Sequence, residues 1–187
     1  TIRDEGYETF LLADEASRWI KARDQSKPFF LYMPFIAPHS PLEAPDNLVR
    51  KYEALEDTRE LTRSTAIDRT RTLNGFSPSA RPMYAAVVDG LDQAIGQVLD
   101  TLRSEGIEEE TIILFSSDNG GAAYAGGGAD NFPLRGGKGD TYEGGIRVIA
   151  AIKWKGTLEA GNNFESIMTV MDVFPTLASA SGVPMLN

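Results

Sequence analysis

The sequence predicts an α/β domain over 1–187, with a mixed, mostly parallel sheet flanked by helices. Three observations carry that expectation. Apolar runs at 29–35, 111–117 and 146–154 have the length and composition of buried strands. Stretches 7–23 and 81–105 repeat apolar residues at the helical period. Strand-like and helix-like segments also alternate, the order in which crossover helices cover a sheet of buried strands.

The elements follow in chain order. In 7–23, Phe10, Leu11, Ala13, Ala16, Trp19 and Ile20 fall on one helical stripe. After Pro28, the run FFLYMPF (29–35) is continuously apolar and aromatic, which predicts a strand buried on both faces. IAPHSPLEAP (36–45) follows, and its three prolines stiffen a loop against regular structure. Asp46 is placed to cap a short helix ending at Tyr52. The charged, irregular stretch 53–78 is expected to be an exposed insertion. From 81 to 105, Tyr84, Val87, Val88, Leu91, Ile95, Val98, Leu99 and Leu102 form the stripe of a long helix, with Gly106 as its stop. TIILFSS (111–117) and IRVIAAIKW (146–154) are the second and third strands. Between them, residues 120–145 hold 10 of the chain's 18 glycines, the signature of a loop. A closing helix is expected over 173–181.

Composition bounds the chemistry. The 187 residues include no cysteine and a single histidine, which excludes disulfides, thiolate nucleophiles and multi-histidine zinc sites within them. A net charge of −9 argues against a nucleic-acid groove or an anionic membrane surface. The acidity is uneven, since 111–155 carries 4 acids against 5 bases, so an anionic substrate is tolerated there. No stretch approaches the roughly 20 apolar residues of a membrane span. The chain opens TIRDEG, without an initiator methionine or a signal pattern, and is expected to be a fragment or a processed chain.

Three clusters carry candidate chemistry. SSDNGG (116–121) sits at the mouth of the second strand, where Asp118 and Asn119 offer hard oxygens. The same four residues 118–121 also make an ordinary turn unaided. His39 is the only side chain here that titrates near neutrality unperturbed, and Pro38 and Pro41 hold it at a strand exit. Lys138, in PLRGGKGDTYEGG, is flanked by glycines that permit close backbone approach, and suits a phosphate or sulfate group as a point charge. It is not a Walker loop, because residue 139 is Gly rather than Ser or Thr. Arg135 and Arg147 are further cations nearby, each with Glu143 or Asp140 as an available partner. In α/β sheets ligands gather beyond the carboxyl ends of strands, so the loops after two strands are expected to converge.

With these residues in hand, the chain resembles the type I sulfatases of the alkaline phosphatase superfamily, the arylsulfatase-like enzymes. The matching stretches are KPFFLYMPFIAPHSPLEAP, YAAVVDGLDQAIGQVLDTLR, TIILFSSDNGG, PLRGGKGDTYEGGIRV and VMDVFPTLASASGVP, in the family's order. The resemblance implies a partial sulfatase catalytic domain and hydrolysis of a small-molecule or carbohydrate sulfate ester. It implies that Asp118 and Asn119 ligate calcium, or magnesium, and that His39 and Lys138 contact the sulfate as catalytic and substrate-binding residues. It also implies a periplasmic or extracellular location. The family's formylglycine motif, C/S-x-P-x-R, does not occur in this chain. SPSAR (77–81) is out of register, with Phe76 at the nucleophile position and Ala80 at the arginine position. The expectation is therefore a central segment, inactive by itself and prone to self-association through open sheet edges. Two alternatives stay open: a phosphodiesterase or phosphonate monoester hydrolase of the same superfamily, and a catalytically dead truncated module.

Overall fold

The computed structural model describes residues 5–53, 80–122 and 128–182. They divide between two compact units, Thr1–Gly156 and Thr157–Asn187. The first unit carries α1 (Glu8–Ala22), α2 (Asp46–Tyr52), α3 (Ala80–Ser104), a 3-10 turn (Glu108–Glu110), β1 (Ile113–Ser116), the single turn α4 (Glu143–Ile146) and β2 (Ala150–Lys153). The second carries α5 (Val170–Ala180). No helix among the described residues is long and apolar enough to cross a membrane. The expected insertion 53–78 lies, but for Glu53, outside the described residues.

Helix α1 buries Thr9, Ala13, Ala16, Ser17 and Ile20, a stripe of helical period. That stripe packs on α3, where Ala86, Val87, Ala94 and Leu102 are buried. Small side chains on both helices bring the backbones close, and a polar seam fixes their register. Gln97 Nε2 donates to Asp14 Oδ1 at 2.7 Å, and Thr101 Oγ1 meets Ser17 Oγ at 3.0 Å. Helix α2 docks on α3 through buried Leu48 and through Asp89, which accepts from Lys51 Nζ at 2.6 Å and from the Tyr52 hydroxyl at 3.1 Å. That ammonium and Gln93 hold the Asp89 carboxyl below the usual carboxylate range. Asp46 is the first helical residue of α2, not its cap; Pro45 holds the cap position and no side chain caps the helix there.

Gly106 ends α3 as the sequence predicts. At φ +71° its N–H donates to Arg103 O at 3.1 Å, and Ile107 N–H reaches Leu102 O at 3.0 Å, the paired closure of a glycine-terminated helix. The chain then turns through Glu108, whose buried carboxylate accepts from Lys153 Nζ of β2 at 2.5 Å and from Arg103 at 3.5 Å. This node ties the end of α3 to the sheet, and its Lys153 hydrogen bond pulls the Glu108 carboxyl below its ordinary value.

The α/β class stands, but the strands differ from expectation in two ways. First, β1 and β2 pair antiparallel, Ile113 opposite Lys153 and Ser116 opposite Ala150. Among its described residues the connection between them holds only the one-turn α4, and Ser117 N–H still bonds Ile149 O at 3.1 Å, so the chain returns along the same edge. A parallel partner requires a crossover, which this connection does not make. Both strands are largely exposed rather than buried. Second, 29–35 joins no ladder among the described residues. Its inner residues cover α1, with Phe29 edge-on to Trp19 at 5.6 Å, while Phe30 and Tyr32 are 77% and 76% exposed. A continuous apolar run implies burial on both faces, and only one face is covered among the described residues.

In the second unit, α5 starts earlier than the expected 173. Thr169 and Asp172 form a reciprocal cap: Thr169 N–H donates to Asp172 Oδ2 at 2.7 Å and Met171 N–H to Thr169 Oγ1 at 3.3 Å.

Candidate functional site in the glycine-rich loop

The connection from β1 to β2 is held mainly by backbone. Beyond β1, the Ser117 hydroxyl donates to Asn119 O at 2.9 Å and turns the chain at Asp118. Gly120 N–H then donates to Gly145 O at 2.9 Å, and Gly144 N–H to Arg135 O at 2.7 Å. These strands of loop pass so close that side chains have no room. A Cβ on Gly120 would lie 1.7 Å from Gly144 O, one on Gly144 2.3 Å from Gly136 O, and one on Gly145 2.2 Å from Asp140 O. The glycines are therefore the packing surface of this loop, rather than only its hinges.

That packing places the predicted residues. Asp118 is exposed and Asn119 half-buried at the mouth of β1. The Lys138 backbone is tied to the residue two beyond Asn119, its N–H donating to Gly121 O at 3.2 Å. Gly136 and Gly139, on either side of it, take φ of +82° and +88°, where a side chain is strained. Arg81 of α3 anchors the loop from outside by donating to Gly128 O at 2.9 Å. The two nearby arginines are engaged: Arg135 lies over the Tyr142 ring at 3.7 Å, and Arg147 pairs with Glu143 at 3.4 Å.

His39 lies at the exit of the extended segment, as expected, on a turn closed by its N–H to Ile36 O at 2.8 Å. Its ring Nδ1 is 2.6 Å from Ser40 O. A carbonyl only accepts, so Nδ1 carries the proton and Nε2 faces outward. The hydrogen bonds of His39 among the described residues are local, and none reaches the glycine-rich loop.

Asp118 and Asn119 fit a hard divalent cation by donor type, as a carboxylate and a carboxamide oxygen. They supply part of a shell only. Among the described residues no three His, Asp or Glu side chains group around one point. Sequence reasoning missed Asn131, whose carboxamide joins the two halves of the loop. The available signal was that Asn131 is the only carboxamide within 120–145.

The sulfatase family model matches residues 2–183, and the chain belongs to that family. It is 34% identical over 173 residues to mouse arylsulfatase J, covering 92% of this chain and 25% of that protein. A sulfatase of Formosa agariphila is 35% identical over 188 residues, covering 95% of this chain and 30% of the relative. Among solved structures, Ps i-CgsB in complex with k-i-k-neocarrahexaose superposes with a TM-score of 0.82 at 31% identity, over 99% of this chain and 36% of that one. The chain thus spans between a quarter and a third of the length of these curated relatives.

Proposed function

We propose that this chain contributes the Asp118–Asn119 and Lys138 side of a sulfatase active centre that hydrolyses sulfate esters. The observation that supports the proposal is the glycine-packed loop, in which the Lys138 N–H bonds the carbonyl of Gly121, two residues past Asn119, in a member of the sulfatase family. Asp118 and Asn119 would hold a calcium or magnesium ion, which supplies charge stabilisation when bound. The formylglycine that the family resemblance implies would supply nucleophilic chemistry from outside this sequence, which does not hold its motif.

This chain's own residues then have distinct tasks. The Lys138 ammonium binds and orients a sulfate oxygen, where negative charge is concentrated. With its Nδ1–H donating to Ser40 O, His39 has Nε2 as the ring nitrogen left to exchange a proton with the departing alcohol. The backbone loop supplies the rigidity that keeps Lys138 in register with 118–121.

A carbohydrate sulfate ester is the substrate class we favour, supported by the oligosaccharide complex of Ps i-CgsB. A periplasmic or extracellular setting follows from the family alone. The test is to assay the full-length enzyme with an aryl sulfate and an aryl phosphate side by side. Sulfate turnover is expected to dominate, and the 187-residue chain alone to show none. Comparable or greater phosphatase turnover contradicts the sulfatase reading and favours a phosphoesterase of the same superfamily.

A further inference from the structure

We propose that Asn131 is a positioning residue that couples the metal-facing segment 118–121 to Lys138; the inference rests on the sulfatase reading of the loop. Gly121 stands two residues beyond Asn119, and its peptide is engaged on both sides. Its N–H donates to Asn131 Oδ1 at 2.9 Å, while its carbonyl accepts from Asn131 Nδ2 at 2.8 Å. The same carbonyl accepts from Lys138 N–H at 3.2 Å. One carboxamide therefore sets the orientation of the carbonyl on which the Lys138 backbone hangs.

The residue type follows from this geometry. A carboxamide matches a peptide edge with one acceptor and one donor, whereas a carboxylate offers two acceptors and would face the Gly121 carbonyl with a second oxygen. The neighbouring glycines have no room for side chains of their own beside it. A Cβ on Gly137 would lie 2.8 Å from Asn131 Nδ2 and 2.7 Å from Gly121 O, and a Cβ on Gly121 2.5 Å from the Ala129 Cβ. Asn131 is itself fixed at the backbone, its carbonyl accepting from Leu134 N–H at 2.8 Å. Among the described residues no helix or strand joins 118–121 to 135–138, so the carboxamide supplements the single Lys138–Gly121 backbone bond where a ladder would otherwise hold the two.

The experiment is a double-substitution cycle in the full-length enzyme, with Asn131→Asp and Asn131→Ala each combined with Lys138→Ala. Turnover of an aryl sulfate and amide hydrogen exchange are both read. Asn131→Asp, which keeps the size, is expected to lower kcat by roughly ten- to a hundred-fold, the scale on which small misplacements act. Once Lys138 is Ala, either change at 131 should cost little more, because the misplaced group is already gone. The Gly121 and Lys138 amides should also exchange faster in the Asn131→Asp variant than in the wild type. Independent, multiplying losses, or unchanged protection of those two amides, would overturn the positioning role. If the wild-type enzyme turns over no sulfate ester, the functional reading fails and the exchange measurement alone decides the role of Asn131. Should both variants fail to fold, slow exchange of the Gly121 and Lys138 amides in the wild type supports the clamp, and fast exchange refutes it.

Discussion

The helical layer and the glycine-rich loop of the first unit are built by opposite means. In the layer, α1 and α3 meet through side chains, with Ile20 fully buried and alanines setting the spacing. In the loop, the contacts are backbone against backbone, and Gly120, Gly144 and Gly145 have no space for a Cβ. A side-chain interface tolerates small adjustments by changing rotamers, while a peptide-on-peptide contact has none to change. The difference places stability in the layer and positional accuracy in the loop, which is where Asp118, Asn119 and Lys138 sit.

Substitutions in each region test that division. The largest stability effect is expected from Ile20→Ala, which removes a fully buried side chain between helices. It should cost about 2–5 kcal/mol in urea unfolding. Turnover per folded molecule should hardly change, and a matching loss of turnover would blur the distinction. Gly120→Ala is expected to lower stability less, by about 1–3 kcal/mol as an overpacked site. Its effect on turnover should be far larger, because relieving a 1.7 Å approach must move Asp118, Asn119 or the 144–145 peptide. A Gly120→Ala enzyme with wild-type rates would show that the loop is not held as described.

A smaller effect sharpens the boundary between the regions. Glu108 joins α3 to β2 through Lys153 and Arg103, and its folded-state carboxyl is held below its ordinary value. A depressed carboxyl contributes stability that is present above the unfolded value, near pH ~4.3, and is lost as pH falls through the folded one. Acid unfolding should therefore begin earlier and more gradually in Glu108→Gln than in the wild type. Identical acid profiles would remove Glu108 from the junction. Asp89 follows the same sign at the α2–α3 contact, again with Lys51 as the first cause.

What the sequence disclosed follows the same division. Helices driven by side-chain periodicity were legible: 7–23 became Glu8–Ala22 and 81–105 became Ala80–Ser104. Strands were less so, because a strand is completed by neighbours remote in sequence. FFLYMPF has the right composition, yet among the described residues it finds no ladder, and its burial alternates. The direction of the β1–β2 pair was equally hidden, since it depends on how the intervening loop returns. The count of glycines in 120–145 announced a loop but not which glycines touch. Asp118, Asn119, His39 and Lys138 stood out by residue type. Asn131 did not, because its importance lies in the one peptide its carboxamide faces.

The central claim is that the loop exists to hold Lys138 against a sulfate ester beside the Asp-Asn pair. The most direct measurement is the aryl sulfate turnover of Lys138→Ala in the full-length enzyme, alongside its melting behaviour. Turnover is expected to fall by roughly a hundred-fold or more, about 2.7–4 kcal/mol in barrier for one preorganised donor, with folding retained. A Lys138→Ala enzyme that folds normally and turns over sulfate at the wild-type rate would contradict the account.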